Sequence, residues 1–144
     1  MGSMLKVAVL IACLAVAAPA VAISCGGQQS TAHAYSSAQH VVSAHVEGSY
    51  VAPGFGRDAV RFVELRVLKV WKGQLKPGDR VQATAEDSIN FVGDGFVPLL
   101  GSDLLVYASG SQPLMLGSCS RTAPLETTRD LQALEALSRR SHGR

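Results

Sequence analysis

The sequence predicts a small, mainly antiparallel β-barrel of five strands with flanking helices, on the border between all-β and α+β. Three observations lead there. Short runs rich in valine, leucine and aromatic residues are separated by Gly, Pro and Asp turns. One run, Asp58 to Lys72 (DAVRFVELRVLKVWK), is long and carries four valines, Phe62 and Trp71, which favour a strand over a helix. A spaced leucine stripe, Leu131, Leu134 and Leu137, marks an amphipathic helix near the end of the chain.

The domain is expected to begin at Ile23. Residues 1–22 contain one cation, Lys6, then an apolar run from Val7 that ends in Ala20-Val21-Ala22, the form of a cleavage site. That is the build of a secretory signal peptide, leaving 23–144 as a single secreted or periplasmic domain with no stable membrane span after cleavage. Two other readings compete with it. The apolar run is barely long enough to be a membrane anchor, and no basic stop follows it. Leu10-Ile11-Ala12-Cys13 has the form of a lipobox, which would make the chain a lipoprotein through Cys13, but the apolar pattern continues past it.

Along the expected mature chain, Gly26 to Gln29 is a connector, and Ser30 to Ser37 is a short helix capped by Ser30 or Thr31. Val41 to Val46 (VVSAHV) is a strand, and Tyr50 to Arg57, with two glycines and a proline, is a loop. In the long strand, Val60 and Phe62 share one parity, Val63, Leu65 and Val67 the other, and Leu68 and Val70 the first again. A strand with such phase slips is expected to be bulged or coiled. Lys76-Pro77-Gly78-Asp79 is a turn, Arg80 to Ala85 a strand, and Glu86 to Leu100 a long loop. Asp103 to Ala108 is a buried strand, and Leu114 to Leu116 a short one. Thr127 is expected to cap the last helix, with Asp130 as its reciprocal partner. Five strands with one helix before and one after fit an OB-like barrel.

Composition narrows the partners. Removing Lys6 with the leader takes the formal net charge from +2 to about +1. Much of the basic excess is the tail residues Arg139, Arg140 and Arg144. No nucleic-acid partner is expected from such a balance. Enzyme signatures are lacking: there is no H-E-x-x-H, G-x-S-x-G or phosphate loop, so the chain reads as non-enzymatic, with no cofactor. His33, His40 and His45 suggest no metal site, because the odd separation of His40 and His45 puts them on opposite strand faces. Tyr35, Tyr50, Phe55, Phe91 and Phe96, with Arg57, Arg61 and Arg66, could form a stacking face for sugar or nucleic acid. The plainer reading is that most of these aromatics fill the barrel or pin its loops. Trp71 reads as core.

Export also frames the cysteines. Cys13 leaves with the leader, so Cys25 and Cys119 remain, an even number in an oxidising compartment. A disulfide between them would close a loop of about 95 residues, which the chain-entropy model values at about 4–5 kcal/mol. It would also consume Cys25 as a nucleophile beside His33. Ser118 and Ser120, flanking Cys119, are read as satisfying backbone groups.

Taken in order, VLKVWKG (Val67–Gly73), GSDLLVYA (Gly101–Ala108) and CSRTAPL (Cys119–Leu125) resemble the netrin module and the tissue inhibitors of metalloproteinases, above all the secreted bacterial members. The likeness covers Ile23 to Leu137. It departs at two cysteines: Ile23 stands where the family opens C-x-C, and Ser88-Ile89 where a mid-loop Cys-Gly would fall. In the family those two cysteines bond to each other, so the pair is absent as a unit, while Cys25 and Cys119 match its other bridge.

The resemblance implies a protein-binding module. In the animal inhibitors the free amine and carbonyl of the first mature residue chelate the zinc of a metalloproteinase, and the second side chain enters its specificity pocket. Carried over, Ile23 is the chelating residue, Ser24 the pocket residue and Cys25 the anchor, with a zinc metalloproteinase as the candidate partner. The other expectation is an OB-type module that binds another envelope protein, carbohydrate or nucleic acid without inhibiting a protease.

Overall fold

Two long strands form the spine of the sheet. In the computed structural model, which describes residues 29–53, 59–85, 98–117 and 119–142, β1 (His40–Pro53) and β2 (Ala59–Lys72) run antiparallel from Val41 opposite Lys72 to Pro53 opposite Ala59. Their register shifts between Val41 and Val42, between Ser43 and Ala44, and between Val46 and Gly48. At the first two shifts β2 carries the extra residue, Trp71 and then Leu68; at the third β1 carries Glu47. The slip from Val67 to Leu68 is therefore a bulge, which turns the side chains of one strand from one face to the other, whereas Phe62 and Val63 pair in unbroken register with Tyr50 and Ser49. β1 runs further than expected: Tyr50 to Pro53 is strand, not loop, because Ala59 to Phe62 on β2 pairs with it.

The remaining strands are short. β3 (Arg80–Ala85) pairs antiparallel with β2, and β4 (Asp103–Ala108) pairs antiparallel with the first half of β1. β5 (Leu114–Leu116) lies parallel to the end of β3, and β6 (Ala123–Pro124) antiparallel to the start of β4. The sheet order is β5-β3-β2-β1-β4-β6. With helices α1 (Thr31–Ser37) and α2 (Leu131–His142), the class is α+β, as the element pattern suggested.

The expected closed, five-stranded barrel is corrected. The sheet is open and has six strands. The reason lies at the far edge of β4. The unforeseen β6 occupies that edge at Leu104 and Leu105, and the three-residue β5 reaches only beyond the end of β4. There Ser109 and Met115 exchange backbone hydrogen bonds of 3.2 and 2.8 Å as one isolated bridge.

Both faces of the β1–β4 pair are buried. On one face Val42, Ala44, Val46, Val63, Leu65, Val67, Val81, Leu104, Val106 and Leu114 form the larger core. On the other, Val41, Trp71, Leu105 and Tyr107 pack beneath the helices against Ala34, Tyr35 and Leu134. Trp71 is thus core, as expected. Helix α1 begins as read, with Ser30 as N-cap: its hydroxyl accepts from the His33 amide. Helix α2 does not begin at Thr127. Its first intrahelical bond runs from the Leu134 amide to the Asp130 carbonyl, so Asp130 holds the capping position, while the Thr127 hydroxyl donates to Pro124. Among the described residues, no helix is long and apolar enough to cross a membrane.

Candidate functional site

The leader 1–22 and the expected contact residues Ile23, Ser24 and Cys25 lie outside the described residues, as do Ser118, Phe55, Arg57, Phe91 and Phe96. What is described is the framework that holds the chain from Gln29 onward, and it is built around a carboxylate. Asp130 is buried, 3% exposed, at the start of α2. Arg121 grips it with two parallel bonds, Nε to Oδ2 at 2.7 Å and Nη2 to Oδ1 at 2.5 Å. The Tyr107 hydroxyl of β4 donates to Oδ2 at 2.8 Å, and the Thr31 hydroxyl of α1 donates to Oδ1 at 2.9 Å. The remaining arm of the guanidinium, Nη1, donates to the Gln29 carbonyl at 2.7 Å.

This cluster is satisfied group by group. Burial pushes the Asp130 carboxyl up. The hydrogen bonds from Arg121, Tyr107 and Thr31, together with the Arg121 charge, outweigh burial and hold it below its ordinary value. Tyr107 is pushed well above the usual phenol range by burial first, then by the adjacent carboxylate. Arg121 is held higher still by its hydrogen bond to Asp130. All three groups therefore keep their ordinary charge states at neutral pH. The arrangement ties the entry of the described chain, both helices and β4 to one point.

Cys119 lies two residues before Arg121, is exposed, and is disulfide-bonded. Between Cys119 and Arg121, the Ser120 hydroxyl donates to the Thr122 hydroxyl, which in turn accepts from the Tyr107 amide. The Ser120 hydroxyl also accepts from the Thr122 amide at 3.4 Å, which is the backbone-supporting role read from the sequence. The segment 119–122 therefore runs beside β4 with the half-cystine at its outer end.

The histidines do not come together. His33 is exposed on α1, and His40 shares the β1 parity of Val42 and Ala44 in the larger core. His45 lies on the opposite face, its Nδ1 at 2.6 Å from the Asp103 carboxylate. Among the described residues, no group of three or more His, Cys, Asp or Glu side chains is placed to hold a metal ion. The aromatic residues read as either a stacking face or core divide between the two. Tyr35 is buried under α2, its hydroxyl donating to the Trp71 carbonyl at 3.0 Å. Tyr50 is 45% exposed and stacks on Phe62, with ring centroids 5.6 Å apart.

Sequence reasoning missed the Arg121–Asp130 cluster. In the sequence Arg121 is only the third residue of CSRTAPL, and Asp130 has the spacing of a capping partner. Their nine-residue separation crosses β6 and a turn, which gives it no helical or strand periodicity. A scan against protein-family models found no match, and no curated protein matches the chain.

Proposed function

We propose that this chain is an exported, non-enzymatic protein-binding module of the netrin and metalloproteinase-inhibitor kind, and that its mature N-terminus is the contact element. In this reading Ile23 supplies the amine and carbonyl that bind the zinc of a partner metalloproteinase, Ser24 faces its specificity pocket, and Cys25 is tied to Cys119. The observation that carries it is the anchoring of the entry segment. The Gln29 carbonyl is fixed by Arg121, Thr31 is fixed by Asp130, and the half-cystine Cys119 stands two residues from Arg121. A contact element made of backbone atoms needs its chain held in advance, because ordering it on binding would cost affinity. A disulfide is also the chemistry of an oxidising, extracytoplasmic compartment. The parallel pairing of β3 with β5 and the antiparallel pairing of β4 with β1 support an OB-like, partly open curl as the scaffold.

The test is an inhibition assay of the secreted protein against a panel of zinc metalloproteinases, with its N-terminal residue identified by mass spectrometry. Inhibition by a chain that begins at Ile23, abolished by acetylating its amine, is the expected result. A chain that begins elsewhere, or inhibition that survives acetylation, would overturn amine chelation.

A further inference from the structure

The outer face of β1, β2 and β3 carries a built surface that the N-terminal contact element does not use. Tyr50 projects from β1, yet its hydroxyl accepts a 2.8 Å hydrogen bond from the Gln82 amide of β3. Its side chain therefore reaches across β2. There it stacks on Phe62, the two ring planes only 19° apart. Beside this pair Glu64 of β2 lies over β1: a Cβ added at Gly48 would meet a Glu64 carboxylate oxygen at 2.8 Å. Gly48 thus leaves the space in which an exposed carboxylate lies low against the sheet. That carboxylate makes no ion pair or hydrogen bond among the described residues. Further along the same face Glu47 is bound by both Arg66, at 2.8 Å, and Arg80, at 3.0 Å.

We infer that this face binds an uncharged oligosaccharide. The aromatic pair offers apolar rings to the C–H face of a sugar. The Glu64 carboxylate and the free Gln82 carbonyl stand ready as acceptors for its hydroxyls, and the Tyr50 hydroxyl as a donor. Charge decides against the other flat ligands. Glu47 and Glu64 balance Arg66 and Arg80, and the guanidinium groups are already held by Glu47, so a phosphate backbone finds no unopposed cation here. A neutral, hydroxyl-rich chain fits that balance. The inference rests on the sheet and not on Ile23, so it stands or falls separately from protease inhibition.

The experiment is titration of the mature domain with cellohexaose, chitohexaose and laminarihexaose, followed by calorimetry and by backbone amide NMR. Saturable binding of at least one is expected, with shifts centred on Tyr50, Phe62, Glu64 and Gln82, and little loss in about 0.5 M salt. Tyr50→Ala should weaken it about tenfold or more, Tyr50→Phe less, and Glu64→Gln should weaken it with the fold intact by circular dichroism. Absence of binding to all three sugars would overturn the inference. So would unchanged binding by both Tyr50→Ala and Glu64→Gln, or binding of oligo(dT) alone with a steep salt dependence.

Discussion

Arg121 and Asp130 meet fork to fork, at 2.7 and 2.5 Å, with the carboxylate buried and the guanidinium a quarter exposed. Removing one partner of such a pair leaves the other's charge or hydrogen-bonding groups unpaired, which costs more than the pair itself contributes. Arg121→Ala is therefore expected to destabilise the domain by about 3 kcal/mol. Arg121→Lys keeps the charge but loses the second bond and the hold on Gln29, and should cost about half as much. Urea unfolding at neutral pH measures both; equal stability of Arg121→Ala and the parent would mean the cluster is solvated rather than buried.

The same carboxylate gives a pH dependence with a definite sign. Asp130 has a folded-state value below its unfolded one, so the unfolded chain binds more protons at acid pH. The stability it contributes is fully present above about pH 4, the ordinary range of an aspartate, and is lost as pH falls through the lower, folded value. Glu47 and Glu135 are also lowered, chiefly by hydrogen bonds from Arg66 and Lys69, but both lie partly open to solvent. Urea midpoints from pH 7 down to about 2.5 should fall more steeply for the parent than for Asp130→Asn. Parallel curves would show that other carboxylates carry the acid sensitivity.

The proposed Cys25–Cys119 bond makes a prediction by non-additivity. Cys25→Ser, Cys119→Ser and the double variant should each lose the same stability, about 2–5 kcal/mol, because each removes the one cross-link. Losses that differ between the single variants, or that add in the double, would give Cys119 another partner.

Gly73 separates two costs of replacing a glycine. Its φ is +106°, and an added Cβ would lie 2.4 Å from His40 Nδ1. Gly78 has a φ of +92°, but an added Cβ would meet nothing within 4 Å. Gly78→Ala should therefore cost about 1 kcal/mol of backbone strain, and Gly73→Ala about 2–3 kcal/mol, since His40 must also move. Thermal melting of the two variants side by side reads the difference.

Local chemistry made much of this fold readable. Ser30 begins a helix because its hydroxyl meets the His33 amide, and the Lys76–Asp79 turn is closed by the Asp79 carboxylate, which accepts from the Lys76 amide at 2.8 Å. The parity slips around Val67 and Leu68 announced a bulge. What failed depended on partners distant in sequence. Tyr50 to Pro53 is strand only because β2 is long enough to pair with it. Ala123 and Pro124 have too few residues to show alternation, so β6, and with it the open edge of the sheet, stayed hidden. The Arg121–Asp130 cluster joins four separate elements, and no single window of sequence contains it.

The two-sided burial of β4 sets a lower limit on what can fold alone. Leu104, Val106 and Ala108 face the larger core, while Leu105 and Tyr107 face the helices. A fragment that stops before Leu131 would keep every strand and the first helix yet lose Leu134 from the cluster of Val41, Trp71, Leu105 and Tyr107, opening that face in part to water. It would also strip Asp130 of the helix it caps. The C-terminal helix is thus part of the minimal folding unit, and a shortened version made to isolate the proposed N-terminal contact element would expose a sticky face instead of a simpler domain.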